Sequence, residues 1–265
     1  MREDFIASRD NPWTRQCRAL AQDSTAYRKA GQVWLEGDHL CRALLTRGQQ
    51  PEAVVLTEGH QSLAEGWALA PGVRRVVVPA RLMAWISGLE SPPLVACLYR
   101  LPAATRSVQP DLPTVVLDRV QDPGNVGSIL RSAAAFGFRQ VLALRGTAAL
   151  WAPKVLRAGM GAHFALHLVE GVDVAALDDL QVPLLATSSH QGQWLHQAPL
   201  PWPCAWLMGH EGQGVAEALM ARAHGLIRIA QPGGEESLNV AAAAAICLHA
   251  SAVSAFGAPE NASRP

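Results

Sequence analysis

Glu211 stands among three glycines in "LMGHEGQGV", directly after an apolar run. Three glycines in six residues raise the entropic cost of ordering the backbone, which fits a loop that needs positive φ or presses closely on something. Such loops often cradle phosphate, but the Gly-Lys-Ser/Thr of a P-loop is absent, and so is a glycine fingerprint opening a long helix. A carboxylate in this setting repels phosphate and suits a hydroxyl or an ammonium group. A second stretch, "LDRVQDPGNVGSILRSAAAFGF", reads as a strand, a turn at Asp122-Pro123-Gly124, and a helix that Asn125 can cap. Gly127 allows close approach of a backbone or ligand, and Arg131 follows on nearly the same side of the helix. A third, "QPGGEESLNVAAAAAICLHA", puts Ser237 and Asn239 at the mouth of an Ala-rich helix, where side-chain oxygens can cap orphan amides. Taken singly, plain capping or a tight turn accounts for each stretch as well as chemistry does.

The elements that must position these residues alternate. From 112 onward, "TVVLDRV", "QVLAL", "HFALHLV", "VPLLATS", "PCAWLMG" and "GLIRIA" read as strands. "NVGSILRSAAAFGF", "APKVLRAGM", "AEALMARAH" and 238–256 read as helices. Near-continuous apolar strands between helices predict a parallel sheet covered on both faces. Ligands of open parallel sheets bind outside the carboxyl ends of the strands, so the three stretches are expected on one edge. The first half opens on a polar helical stretch over 11–31. It continues with "QVWLEG", "AVVLTEG", "VRRVVVP" and "LVACLY" as strands and "DHLCRALLTRG" and "ARLMAWISGL" as helices, a small α/β domain. The division expected is 1–99, a Pro-containing linker over 100–111, a second domain over 112–257, and a disordered tail over 258–265.

The chain of 265 residues has formal net charge zero, yet residues 100–157 carry eight Lys/Arg against three Asp/Glu. That basic island hints at an anionic partner, with a solvated scatter of Arg as the alternative. Five cysteines without paired spacing suit free thiols in a reducing compartment. The start lacks an apolar leader, and the apolar run 240–256 is broken by His249, Ser251 and Ser254, so a buried helix in a cytoplasmic protein is expected. His163 and His167 fall on one face of an expected strand, but no third ligand is evident and no metal is called for.

The order Asn-x-Gly-x-x-x-Arg, Gly-x-Glu-Gly-x-Gly, Ser-Leu-Asn-Val before an Ala-rich helix resembles the three motifs of the SpoU (TrmH-like) RNA ribose 2′-O-methyltransferases of the SPOUT superfamily, over 112–256. Residues 9–98, through "SRDNPWTRQCRAL" and "WLEGDHLCRALL", resemble the L30e-like RNA-binding module that often precedes that domain. The resemblance implies a parallel sheet flanked by helices with a C-terminal trefoil knot, a homodimer, and methyl transfer from S-adenosylmethionine (AdoMet) to a ribose 2′-hydroxyl of rRNA or tRNA. It implies that Arg131 lies nearest the hydroxyl and that Asn125, Glu211, Ser237 and Asn239 orient it and the ribose. It assigns Gly209, Ile229, Leu238 and, more loosely, Thr187 to AdoMet, with Gly209 letting the chain approach the ligand. Arg119, Arg131, Arg139, Arg145, Lys154 and Arg157 become candidates for an RNA-facing surface, with Arg15, Arg18, Arg28 and Lys29 from the first module. Trp13 and Trp34 become candidates for base stacking. His210, Ala216 and Gly159 depart from the usual pattern around the motifs and bear on substrate details. Two other readings compete: a non-catalytic RNA-binding or ribosome-assembly factor on the same scaffold, and a base methylase.

Overall fold

The computed structural model describes residues 3–102, 107–234 and 237–256. The tail over 258–265, part of the linker and Glu235-Glu236 lie outside the described residues. Two compact units result.

In the first unit the chain runs β1 (Glu3–Phe5), α1 (Pro12–Gln22), α2 (Ala26–Ala30), β2 (Gln32–Glu36), α3 (Asp38–Thr46), β3 (Ala53–Thr57), β4 (Arg74–Val78), α4 (Ala80–Ser87) and β5 (Val95–Arg100). The strands make a mixed sheet in the order β1-β4-β3-β5-β2. The opening helical stretch is two helices, because local polar groups interrupt it. Asn11 caps α1 by accepting from Trp13 N at 2.9 Å, and Asp23 beyond its end accepts from Thr25 N at 2.7 Å. Trp34, a candidate for base stacking, is instead fully buried in β2 and donates to Glu36 at 3.2 Å. Burial raises the Glu36 carboxyl above its ordinary pKa, while the Arg157 charge and the Trp34 indole N–H oppose that.

In the second unit β6 (Thr114–Leu117), α5 (Pro123–Ala135) and β7 (Gln140–Leu144) come first. The next helix, α6 (Pro153–Gly159), lies in Trp151–Phe164 and packs in the first unit. Its Arg157 reaches Glu36 at 3.3 Å, and Phe164 meets Tyr99 edge-on at 5.9 Å. β8 (His167–Val172), β9 (Leu184–Thr187), β10 (Gln193–Trp194), β11 (Ala205–Met208), α7 (Glu217–Met220), β12 (Gly225–Arg228) and α8 (Val240–Phe256) complete the second unit. Its seven strands are all parallel, in the order β10-β12-β9-β11-β6-β7-β8. Val115, Val116 and Leu117, with Trp206, Leu207 and Met208, have no exposed surface, as a sheet covered on both faces requires.

Several elements differ from the sequence reading for local reasons. Pro123 is the first residue of α5, so Asp122-Pro123-Gly124 starts the helix instead of making a free turn. The strand expected in "HFALHLV" begins only at His167. Ala162–Ala165 is a short 3-10 turn after Gly161, whose φ is +86°, so His163 and His167 do not share a strand face. α7 has four residues, because His224 is drawn to the sheet: its N donates to Leu184 O at 2.7 Å and its Nδ1 accepts from Leu184 N at 3.1 Å. The last helix begins at Val240 and is not buried all round. Ala244, Cys247, Leu248, Ser251 and Ala252 form its inner face, with Ser251 taking the Trp206 indole proton at 2.9 Å. All five cysteines are free and buried. Among the described residues no helix is long and apolar enough to cross a membrane.

Candidate active site

The register of the parallel sheet sets the site. Met208 pairs with Leu117, and Ile227 with Thr187, so β6, β9, β11 and β12 end side by side. The loops that leave these ends carry the three stretches. Asp122 caps α5 by accepting from Asn125 N at 2.8 Å, which corrects the expected role of Asn125 as the cap. The Asn125 side chain is therefore released for other contacts. Its Nδ2 donates to Glu211 Oε1 at 3.1 Å, and its Oδ1 accepts from Asn239 Nδ2 at 2.9 Å. Asn239 caps α8 with its own Oδ1, which accepts from Ala241 N at 2.9 Å and Ala242 N at 3.2 Å.

Glu211 closes this chain. Its carboxylate also accepts from Gln121 N at 3.2 Å and Asp122 N at 3.0 Å. Burial pushes its pKa up, but the Asp122 N–H and the Asn125 amide outweigh that, and the group is held below the ordinary carboxylate value. Glu211 is thus an anchored anion, and three sequence-distant motifs meet through it.

The Gly-rich loop folds back on itself. His210 and Gly214 exchange backbone bonds at 3.0 and 2.8 Å, and Gly214 has a φ of +68°. A Cβ on Gly209 would lie 2.1 Å from the backbone of Gly214 and of Val215. Gly209 therefore admits the chain's own return, and it also lies on the lining of the cavity beside Glu211. His210 Nδ1 accepts from Gly212 N at 3.0 Å and Gln213 N at 3.2 Å, an acceptor role that accounts for a His beside the motif. Asp118, 3% exposed, ties the β6 loop to the far end of this one by accepting from Ala216 N at 2.8 Å and from Arg119 Nε at 2.8 Å. Arg119 also donates to Gln213 at 2.9 Å, so this candidate for RNA contact is a latch between loops. Arg157, paired with Glu36, and Arg18, bonded to Trp85 O and stacked on its ring, are likewise engaged within the first unit. Arg145 pairs with Asp173, and Arg15 with Asp10, both in exposed ion pairs. Arg28, Lys29, Arg139 and Lys154 are exposed.

A cavity of about 310 Å³ opens beside Glu211. Thr187, Gly209, Ile229 and Leu238 line it, as do Glu211 and Ser237, whereas Asn125, Arg131 and Asn239 do not. Ile227, Val240 and Ala243 extend its apolar wall. Arg131 is exposed on α5 and has no hydrogen bond or ion pair with a described residue. The sequence reading missed Gln231, which also lines the cavity; its Oε1 is shielded from solvent with no hydrogen-bond partner among the described residues. Its position between Ile229 and a Pro-Gly-Gly turn was the available signal. Among the described residues no three His, Cys, Asp or Glu side chains come together as a metal site.

Residues 113–249 match the model of the SpoU rRNA methylase family, a span that contains every residue of this site. The chain is 30% identical over 253 residues to an uncharacterized tRNA/rRNA methyltransferase of Synechocystis sp., covering 92% of each chain. The chain belongs to the SpoU rRNA methylase family. A second relative, the 23S rRNA (guanosine(2553)-2′-O)-methyltransferase RlmP of Bacillus subtilis, is 30% identical over 83% of this chain and 88% of its own. The fold is shared with an AdoMet-bound rRNA methyltransferase from Sinorhizobium meliloti, at TM-score 0.81 and 26% identity over 94% of this chain and 97% of the other. An RNA 2′-O ribose methyltransferase aligns at TM-score 0.79 and 26% identity, over 95% of this chain and 99% of its own.

Proposed function

We propose that this SpoU-family chain transfers a methyl group from AdoMet to a ribose 2′-hydroxyl of RNA, with rRNA favoured over tRNA because the RlmP relative acts on 23S rRNA. The observation that carries the reading is the Asn239–Asn125–Glu211 hydrogen-bonded chain on the rim of a cavity at the strand ends. The cavity suits AdoMet: it is near the lower size of small-molecule sites, has an apolar wall for a flat base, and carries the Glu211 carboxylate on its lining. Gly209, Ile229, Leu238 and Thr187 would hold the cofactor, which supplies a methyl already activated on a sulfonium.

The chain's own residues deal with the hydroxyl. A ribose hydroxyl is a weak nucleophile near neutral pH and must lose its proton on attack or be strongly polarised. Arg131, with all its donors available, positions and polarises that oxygen, alone or with a substrate phosphate. A guanidinium stays charged and is a poor base. Asn125, Glu211 and Asn239 fix the two helix N-termini that face the substrate, and Ser237 adds a hydroxyl at the cavity mouth. Positioning of this kind supplies several kcal/mol of a barrier, on the order of 7–11 kcal/mol in the best-oriented cases.

The reading extends to a cytoplasmic homodimer with a knotted second domain and an RNA-binding first domain. Five free cysteines support the compartment. On α8 the exposed apolar residues Ala242, Ile246, Val253 and Phe256 follow one face, with polar His249 and Ser254 also exposed, and Ile246, Val253 and Phe256 are 41%, 54% and 71% exposed. Such an apolar stripe suits a second copy.

A 2′-O-methylation map of total RNA with and without the gene tests the function. Loss of one ribose methyl is expected and names substrate and nucleotide together. An unchanged map, with AdoMet bound but not consumed, would give the chain to the non-catalytic reading, and a lost base methyl to the base methylases.

A further inference from the structure

We propose that His210 is a positioning residue of the AdoMet cavity: its Nδ1, as a bare acceptor, holds the turn of the Gly-rich loop in the shape that binds the cofactor, and protonation of this one imidazole releases it. This rests on the cofactor reading above. Every residue from Gly209 to Val215 lines the cavity, so the loop is part of its wall. Two sets of bonds shape that wall, and both run through His210. Its backbone N donates to Gly214 O at 3.0 Å and its backbone O accepts from Gly214 N at 2.8 Å, which closes the loop. Its Nδ1 accepts from Gly212 N at 3.0 Å and Gln213 N at 3.2 Å, which fixes the turn inside it. The ring lies against that turn, since a Cβ on Gly212 would come within 3.8 Å of His210 Cε1.

The second set is what an Asn or Asp oxygen makes when it bonds the backbone two and three residues on. An amide oxygen does this without taking a proton near neutral pH. An imidazole does it with a lone pair that a proton can occupy. Both bonds require Nδ1 to be bare, so the proton of the neutral ring is on Nε2. A second proton can go only to Nδ1, and there it turns the acceptor into a donor facing two donors. Gly212 N and Gln213 N then lose their partner, the turn rearranges, and the cavity wall moves with it. Among the described residues, the other ionisable groups around the loop are Glu211, Asp118, Arg119 and His190. Glu211 is held below the ordinary carboxylate value by its own bonds, and Asp118 and Arg119 bond each other. His190 lies on the cavity lining and also carries an imidazole, so the test removes His210 alone.

The test is calorimetric binding of S-adenosylhomocysteine to the full-length protein and to His210→Asn and His210→Phe, at about pH 8 and about pH 5.5, which needs no RNA substrate. The wild type is expected to bind about fivefold or more weakly at the lower pH. His210→Asn keeps an acceptor that takes no proton. It is expected to bind within about threefold of the wild type at the higher pH and to hold that affinity at the lower one, which also shows that it is folded. His210→Phe keeps a ring and loses the acceptor, and is expected to bind about tenfold more weakly than the wild type at the higher pH. The proposal is wrong if wild-type affinity does not change with pH, or if the wild type and His210→Asn weaken alike on acidification, which would give the effect to His190 or to the ligand. It is equally wrong if His210→Phe binds as the wild type does at the higher pH, or if His210→Asn binds as weakly as His210→Phe. In each of these cases the cofactor reading stands. If the wild type binds no S-adenosylhomocysteine at the higher pH, the cofactor reading itself fails.

Discussion

At the scale of single residues, Arg131 and Glu211 differ in what surrounds them. Arg131 is exposed on α5 with no described partner, so its removal leaves the fold and the cavity untouched. Arg131→Ala is expected to lower turnover by about a hundredfold or more while AdoMet affinity stays within about twofold, by single-turnover kinetics and calorimetry. A wild-type rate would remove Arg131 from the mechanism. Glu211 instead accepts from two backbone N–H groups and from Asn125. Its pKa is net lowered, so its stabilising contribution is complete above the ordinary value of 4.5 and is lost as pH falls through the lower folded value. Urea unfolding across pH is therefore expected to show a steeper loss of stability below pH 4.5 in the wild type than in Glu211→Gln. Equal slopes would mean that the carboxylate is not anchored in solution.

At the scale of elements, the mouth of α8 and the Gly-rich loop each do two things at once. Asn239 caps α8 through its oxygen and holds Asn125 through its nitrogen. Substitution separates the roles. Asn239→Asp keeps the cap and loses the donor, so thermal stability stays near wild type while turnover falls about tenfold or more. Asn239→Ala loses both and costs about 0.5–2 kcal/mol of stability in addition. If the Asp variant turns over normally, Asn239 is a cap and nothing else. Gly209 sits where the loop returns, and a Cβ there would clash with backbone at 2.1 Å. Gly209→Ala is expected to cost about 1–3 kcal/mol and to weaken S-adenosylhomocysteine binding with it, because the loop can relieve the clash only by opening the cavity wall. Stability lost with affinity intact would show that the loop and the cavity are independent.

At the scale of the whole molecule, the exposed stripe of α8 carries the expectation of a dimer. Ile246 and Val253 lie seven residues apart, two turns along one face. The double substitution Ile246→Glu, Val253→Glu puts two like charges on that face and is expected to yield a monomer by sedimentation equilibrium at micromolar concentration. Since both residues are exposed, the far-ultraviolet spectrum is expected to stay unchanged. A dimer that survives the substitution would place the contact elsewhere.

What the sequence determined by itself was periodic or chemical. The apolar strands of the second half, the helices between them and the polar residues at the strand ends were legible because burial on two faces writes continuous apolar runs, and because strand order does not alter which end of a parallel strand a loop leaves from. The candidate residues Asn125, Glu211 and Asn239 were legible as types. Their contacts were not, since they lie 86 and 114 residues apart in pairs that only the sheet order brings to one edge. Tertiary structure also decided the smaller matters that sequence signals left ambiguous. Asp122 and not Asn125 caps α5, because Pro123 fits the first helical position. Gly209 yields to the returning chain, Arg119 is consumed by Asp118 and Gln213, and Gln231 is left with an unmet acceptor. Each depends on where a distant backbone atom comes to rest, a distance that no local pattern encodes.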